Sequence, residues 1–281
     1  MTGEFERAKI LAEALPYIQR FREKIIVVKI GGRIFESPSL LDELAKDIVL
    51  LKAVGIEPVL VHGGGPQLDQ MLARLGIKAE KINGMRATDA QTMEVVEMVL
   101  AGKLNRELVV KINLAGGKAI GLSGKDGMLL VAKPHPDQKL GAVGEVKKID
   151  AELIIQLLKN GLIPVIAPIG VDEEGDVYNI NADTASGAIA GALRAEKLIL
   201  LTDVEGVKDK KGNLISSLHA GQASKMIKEG EISGGMIPKI NCCLDALRRG
   251  VSKAHIIDGR VPHSLLLEIF TDQGLGTEIY L

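Results

Sequence analysis

The sequence predicts an α/β protein, a three-layer α/β/α sandwich built on an open, mainly parallel central sheet. Short β-branched runs alternate with longer segments of helical period, the pattern of strands joined by crossover helices. The runs are apolar throughout rather than alternating, as strands covered on both faces must be. Hydrophobic residues make up 46% of the 281 but aromatics only 2%, so the core is aliphatic and large enough for one domain or two fused lobes.

Residues 4–23 predict an amphipathic helix with Phe5, Ala8, Leu11, Ala12, Leu15, Ile18 and Phe21 near one face. Pro16 is expected to kink it. Such a helix either packs on its own domain or crosses to a neighbouring subunit. Strands follow at 25–30, 57–62, 118–122, 162–168, 197–203 and 253–258. Between them lie helical patterns over 40–54, 66–75, 90–114, 151–160, 184–193 and 237–249. Two stretches rich in Gly, Pro and charge, 128–148 and 170–180, read as antiparallel hairpins or flaps beside the sheet. A soft boundary near 168–184 divides two lobes that share the sheet.

Thirty-five basic residues against 36 acidic ones leave a net charge of −1, which gives no drive toward nucleic acid or an anionic membrane. An anionic ligand must therefore be held by a few local cations. Cys242 and Cys243 are adjacent, which suits neither a disulfide staple nor zinc spacing, and they read as buried small hydrophobes. No signal-peptide pattern and no run of about 20 apolar residues occurs, so a soluble, cytoplasmic protein is expected.

Four glycine-bearing turns sit where open α/β sheets bind ligands. Lys29-Ile30-Gly31-Gly32 ends the first strand. A lysine there needs a partner for its ammonium or must snorkel, and the glycines let backbone N–H groups approach an anion. His62-Gly63-Gly64-Gly65-Pro66 follows a strand and opens a helix, a cradle for carboxylate or phosphate, or else a tight packing turn. Asn179, Asn181 and Asp183 alternate, so they share a face if extended, and Asp183 either caps the next helix or takes part in chemistry. Gly234-Gly235 precedes Lys239, a cation in a first helical turn that either meets an anion or is simply solvated. A dinucleotide fingerprint fails at Leu68, a P-loop fails at Ala119, and neither H-R-D nor D-F-G occurs.

With VVKIGG (27–32), LVHGGGPQ (60–67), NGMRAT (83–88), NINADTAS (179–186), LLTDVEGV (200–207) and GGMIPK (234–239) in this order, the chain resembles the amino acid kinase family. NGMRAT points to the members acting on N-acetyl-L-glutamate. The resemblance implies phosphorylation of that side-chain carboxylate by ATP, with Mg2+ carried as MgATP, to N-acetyl-L-glutamyl 5-phosphate in arginine biosynthesis. Lys29 and Lys239 would flank the transferring phosphoryl, oriented by Asp183. Gly64, Gly65, Arg86, Asn179 and Asn181 would hold the acceptor. Gly31, Gly32, Thr202, Asp203, Gly234 and Gly235 would hold the nucleotide, and no metal would be bound by protein ligands alone. The implied division is an oligomerisation helix (1–23), a substrate lobe (24–180) and an ATP lobe (181–281). The extra helix and the run from Glu268 to Thr277 match arginine-inhibited hexameric members, which implies an L-arginine site at Tyr17, Lys197, His255, Glu268 and Gly274. Carbamate, aspartate, glutamate or nucleoside monophosphate acceptors, or a non-catalytic amino-acid sensor, are the alternative readings.

Overall fold

The computed structural model describes every residue except Met1, Asn83 and Gln273, with side chains omitted for 2–8, 10 and 11. The side chains of Phe5, Ala8 and Leu11 of the expected apolar face, and all of Asn83 of NGMRAT, therefore lie outside what is described. The chain runs through α1 (Thr2–Phe21), β1 (Ile25–Ile30), α2 (Pro38–Ala53), β2 (Glu57–His62) and α3 (Gly65–Arg74). A short ribbon, β3 (Lys81–Ile82) and β4 (Met85–Arg86), leads to α4 (Ala90–Val96), α5 (Asn105–Leu114) and β5 (Ala119–Ser123). Next come β6 (Leu130–Pro134), β7 (Val143–Ile149), α6 (Ala151–Lys159), β8 (Ile163–Ala167), β9 (Ile169–Val171) and β10 (Val177–Ile180). The remainder is α7 (Ala182–Leu193), β11 (Lys197–Thr202), β12 (Ser217–His219), α8 (Ala220–Lys228), α9 (Met236–Arg248), β13 (Lys253–Asp258), α10 (Ser264–Phe270) and β14 (Thr277–Tyr280).

Eight strands form one sheet in the order β12-β14-β13-β11-β1-β2-β8-β5. The six from β13 to β5 are parallel, and β14 runs antiparallel to β13 while pairing parallel with β12. Alternate residues of each central strand enter different apolar layers. Val27, Val59, Leu198 and Leu200 pack with Ile189, Leu244 and Leu247 from α7 and α9. Ile26, Val28, Leu60 and Ile199 pack with Ile48, Leu108 and Ile269 from α2, α5 and α10. The period of two along a strand thus splits an all-apolar run between two buried faces, which makes the three-layer sandwich. Phe21 at the end of α1 joins the second layer, so this end of the helix docks on its own domain.

The structure corrects four expectations. The 128–148 and 170–180 stretches do form antiparallel hairpins, but not as separate flaps: β6, β7, β9 and β10 close into one small ring. Within it β6–β7 and β9–β10 are antiparallel, while β7–β10 and β6–β9 are parallel. Leu130, Ala132 and Ile180 anchor the ring in the first apolar layer. The pattern over 90–114 is interrupted by a π-helical segment, Glu97–Leu104, between α4 and α5. The outer strands β12, at the sheet edge, and β14 beside it, and the helices α8 and α10, are additions to the elements expected from sequence. Asn181, not Asp183, caps α7: its Oδ1 accepts from the N–H groups of Asp183 at 2.9 Å and Thr184 at 3.1 Å. Cys242 and Cys243 are buried on α9, as expected. Among the described residues, no helix is long and apolar enough to cross a membrane.

Leu60 is fully buried whereas Leu114 is 80% exposed. Leu60→Ala is expected to cost about 2–5 kcal/mol, and Leu114→Ala no more than about 0.5 kcal/mol. Urea unfolding of the two variants measures the difference.

Candidate active site

Parallel pairing of β1 with β2 sets Ile30 opposite His62, so the two glycine turns leave the sheet side by side. Their contact is too close for side chains. A Cβ on Gly32 would lie 2.8 Å from Pro66 Cδ and 3.1 Å from the Gly65 nitrogen. Gln67 Nε2 ties the turns by donating to the Gly32 carbonyl at 2.9 Å. Gly31 donates its N–H to Leu201 O of β11 at 3.1 Å. Nothing lies within 4 Å of where a Gly65 Cβ would be, so this end of α3 is open.

Beside these turns two lysines distant in sequence meet one carboxylate. Lys29 Nζ lies 2.8 Å from Asp183 Oδ1, and Lys239 Nζ lies 3.1 Å from Oδ2. Burial of Asp183 would raise its pKa, but the charges of Lys29 and Lys239 outweigh it and bring it down to about 2. The cluster carries one net positive charge at the mouth of the glycine turns. Both carboxylate oxygens are already engaged by ammonium groups. Among the described residues, no group of three or more His, Cys, Asp or Glu gathers as a metal site.

Lys29 and Gly32 line both of two adjoining cavities. One, of about 260 Å³, is bordered by Gly64, Gly65, Arg86, Asn179, Asn181 and Asp183. Here the structure unites the residues expected to hold an acceptor. Asn179 Nδ2 donates to Thr88 Oγ1 at 3.1 Å, and Arg86 is ion-paired with Asp69. Lys81 contacts the same carboxylate at 3.0 Å. Burial of Asp69 works upward on its pKa, but Lys81 and Arg86 hold it below the ordinary value. Asp69 and Lys81 were missed in the sequence because charges on an exposed helix face and a short ribbon read as solvated.

The other cavity, of about 200 Å³, is bordered by Gly31, Gly32, Thr202, Asp203, Lys239 and Arg260. Asp203 and Arg260 also border a third space of about 420 Å³ that includes Val207, Ile232 and Met236. Thr202 lines the smaller cavity but spends its hydroxyl on the turn, donating to Val204 O at 3.1 Å. Gly234 and Gly235 border neither space; they lie between Ser233 and Met236, which do. Gly234 has φ +58°, the left-handed conformation that lets the chain enter α9.

A fourth cavity, of about 370 Å³, lies elsewhere, between α1 and the end of the sheet that carries β12, β14 and β13. Tyr17, Lys197, Glu268 and Gly274 line it together with Lys253, Asp272 and Glu278. Tyr17 donates its hydroxyl to Asp272 at 2.6 Å. His255, expected in the lining, instead stands behind it, 1% exposed, with Nδ1 2.6 Å from Glu268 Oε1. Glu268 Oε2 accepts from the Leu275 N–H at 3.0 Å. Burial acts to raise the Glu268 pKa, but His255, the Leu275 N–H and Lys197 hold it below the usual value.

A carboxylate-linked lysine pair between a glycine-lined cavity and a second groove, on a sheet of this topology, fits a phosphotransferase of the kinase class. The description "Amino acid kinase family" matches residues 24–258, and the chain belongs to that family. It is 54% identical to an acetylglutamate kinase of Syntrophus aciditrophicus over 98% of this chain and 97% of that one. Among solved structures it is similar to the N-acetylglutamate synthase of Neisseria gonorrhoeae complexed with coenzyme A and N-acetyl-glutamate. There the TM-score is 0.88 at 29% identity, covering 98% of this chain and 63% of the synthase. The same synthase complexed with coenzyme A and L-arginine gives a TM-score of 0.84 at 27% identity, covering 97% and 65%. The chain thus spans about two thirds of the synthase's length.

The Asp183 carboxyl binds its proton near 3.8 when unperturbed and near 2 in the folded protein. Its contribution to stability is therefore complete above about pH 5 and lost as pH falls through the folded value. The urea midpoint of the wild type should exceed that of Asp183→Asn by a constant margin from about pH 5 upward, and the margin should shrink below about pH 4. A margin that grows on acidification would contradict the assignment.

Proposed function

We propose that this enzyme transfers the γ-phosphoryl group of ATP to the side-chain carboxylate of N-acetyl-L-glutamate. The observation that carries the reading is the Lys29–Asp183–Lys239 cluster between the two cavities. A glutamate side chain with pKa near 4.3 is already ionised at neutral pH, so the acceptor needs no general base. The barrier is repulsion between an anionic nucleophile and a polyanionic donor, which cations and backbone N–H groups relieve. Lys29 and Lys239 meet the equatorial oxygens as charge shifts from the leaving to the attacking oxygen. Asp183 holds the two ammonium groups at fixed positions. Mg2+ carried as MgATP would offset phosphate charge on the nucleotide. Two engaged oxygens on Asp183 fit a role in holding lysines rather than the ion.

Gly64, Gly65, Arg86, Asn179 and Asn181 bind the acceptor in this scheme, Arg86 exchanging Asp69 for a substrate carboxylate. Gly31, Gly32, Thr202 and Asp203 bind the nucleotide, with Gly234 and Gly235 shaping the approach to Lys239. The substrate lobe is 24–180 and the ATP lobe 181–281. The similarity to acetylglutamate kinases over nearly the whole chain supports this acceptor, and a cytoplasmic setting supplies the ATP.

A second part of the proposal is inhibition by L-arginine at the cavity beside α1. Acidic Glu268, Asp272 and Glu278 and basic Lys197 and Lys253 surround one space, a lining suited to a zwitterion with a cationic side chain. A related synthase whose solved complex contains L-arginine supports it. Residues 1–23 build a hexamer, a trimer of dimers, through α1, where Leu15 is 51% exposed.

ATP turnover with N-acetylglutamate, free glutamate, carbamate and aspartate tests the acceptor; turnover should be fastest with the first and should fall as arginine is added. Lys29→Ala should lower kcat by about 10²–10³-fold while the protein still folds. Deleting residues 1–22 should leave an active dimer that arginine no longer inhibits, as read by light scattering and rate; an unchanged hexamer would refute the assembly.

A further inference from the structure

Behind the glycine cradle lies a buried polar pair that the mechanism does not use. His62 and Asn105 are both fully buried. Asn105 Nδ2 lies 2.9 Å from Val165 O, 3.4 Å from Leu122 O and 3.2 Å from His62 Nε2. Two backbone carbonyls accept only from a donor, so the amide must present its nitrogen here. Gly63 O, a carbonyl, can only accept from Nδ1, so the imidazole proton sits on Nδ1, and the neutral ring turns Nε2 as an acceptor toward the Asn105 amide. Nδ1 lies 2.9 Å from Gly63 O and donates to it. Burial depresses the imidazole pKa to about 4, with the Gly63 carbonyl acting the other way, and Phe35 covers the ring edge-on at 5.8 Å.

The peptide joining Gly63 to Gly64 is trans and planar, so its C=O and N–H point in opposite directions. With the carbonyl held toward the buried imidazole, the Gly64 N–H faces the other way, toward the cavity that Gly63, Gly64 and Gly65 line. The π-helical segment delivers Asn105 to His62: Leu100 and Leu104 reach within 2.6 and 2.3 Å of where a Gly64 Cβ would stand, and Asn105 follows directly. Gly121 makes room, since its Cβ would fall 2.0 Å from Asn105 Oδ1.

We propose that Asn105 and His62 are positioning residues: Asn105 fixes the His62 tautomer, which turns the Gly63–Gly64 peptide so that its N–H meets the reacting anion. This rests on the phosphotransfer reading above, but its spectroscopic test does not.

The 15N spectrum of the wild-type imidazoles at pH 7, with His62→Gln used for assignment, should show His62 neutral and protonated on Nδ1. A proton on Nε2, or an imidazolium, would overturn the proposal whatever the enzyme's substrate. Asn105→Asp keeps the shape but replaces the donor with an acceptor, so Nε2 takes the proton and Gly63 O loses its partner. With ATP and N-acetylglutamate, kcat should fall about 10–100-fold, with KM for N-acetylglutamate changed far less. Acidification should recover activity in this variant alone, because the doubly protonated ring donates both to the introduced carboxylate and to Gly63 O. Asn105→Ser, still a donor, should retain more kcat than Asn105→Asp, and it serves if the latter does not fold. Equal losses in the two folded variants, or a pH profile of Asn105→Asp parallel to the wild type, would refute the role. Lack of wild-type turnover with every acceptor would refute the phosphotransfer reading and leave the tautomer assignment standing.

Discussion

Everything at the candidate cleft depends on one buried carboxylate accepting two ammonium groups. Asp183 comes from the start of α7, Lys29 from β1 and Lys239 from α9, so one side chain joins three elements that sequence holds far apart. A lone charge at such a depth would be costly to desolvate; each member of the trio is tolerated because the others are present. The excess of one positive charge leaves a fixed, partly dehydrated cationic field between the two adjoining cavities.

The rest of the cleft follows from putting strands in parallel. Adjacent C-terminal ends bring the Gly31–Gly32 and Gly63–Gly65 turns into backbone contact, closer than side chains permit at Gly32. The same edge of the sheet receives α7, whose cap is met by Asn181, which leaves the Asp183 carboxylate free for the lysines. Local satisfaction of a helix end and long-range assembly of the site are thus divided between two neighbouring polar residues. Their division explains why two polar residues, Asn181 and Asp183, stand at the start of an alanine-rich helix.

The strongest elements were legible in the sequence because their signal is local. Apolar runs at 25–30, 57–62 and 253–258 coincide with β1, β2 and β13, whose buried residues face helices on both sides. Weak elements escaped. Strand β12 has three residues and β14 four, and each gains its identity from the neighbour it pairs with. The ring of β6, β7, β9 and β10 escaped in topology rather than existence, since each antiparallel pair is near in sequence and the parallel pairs that close it are not.

Strand period, turn chemistry and apolar burial are properties of short windows, so the sandwich, the glycine turns and the residue types able to carry charge at each could be read from the chain alone. Which charges meet is settled by packing. The meeting of Lys239 and Lys29 at Asp183 was expected only through the family resemblance, and that Arg86 rests on Asp69 and His255 stands behind Glu268 rather than in the cavity depends on how distant elements come together. Coulomb energies fall with distance and with solvent, and no window of sequence contains the distance between residues brought together by a fold.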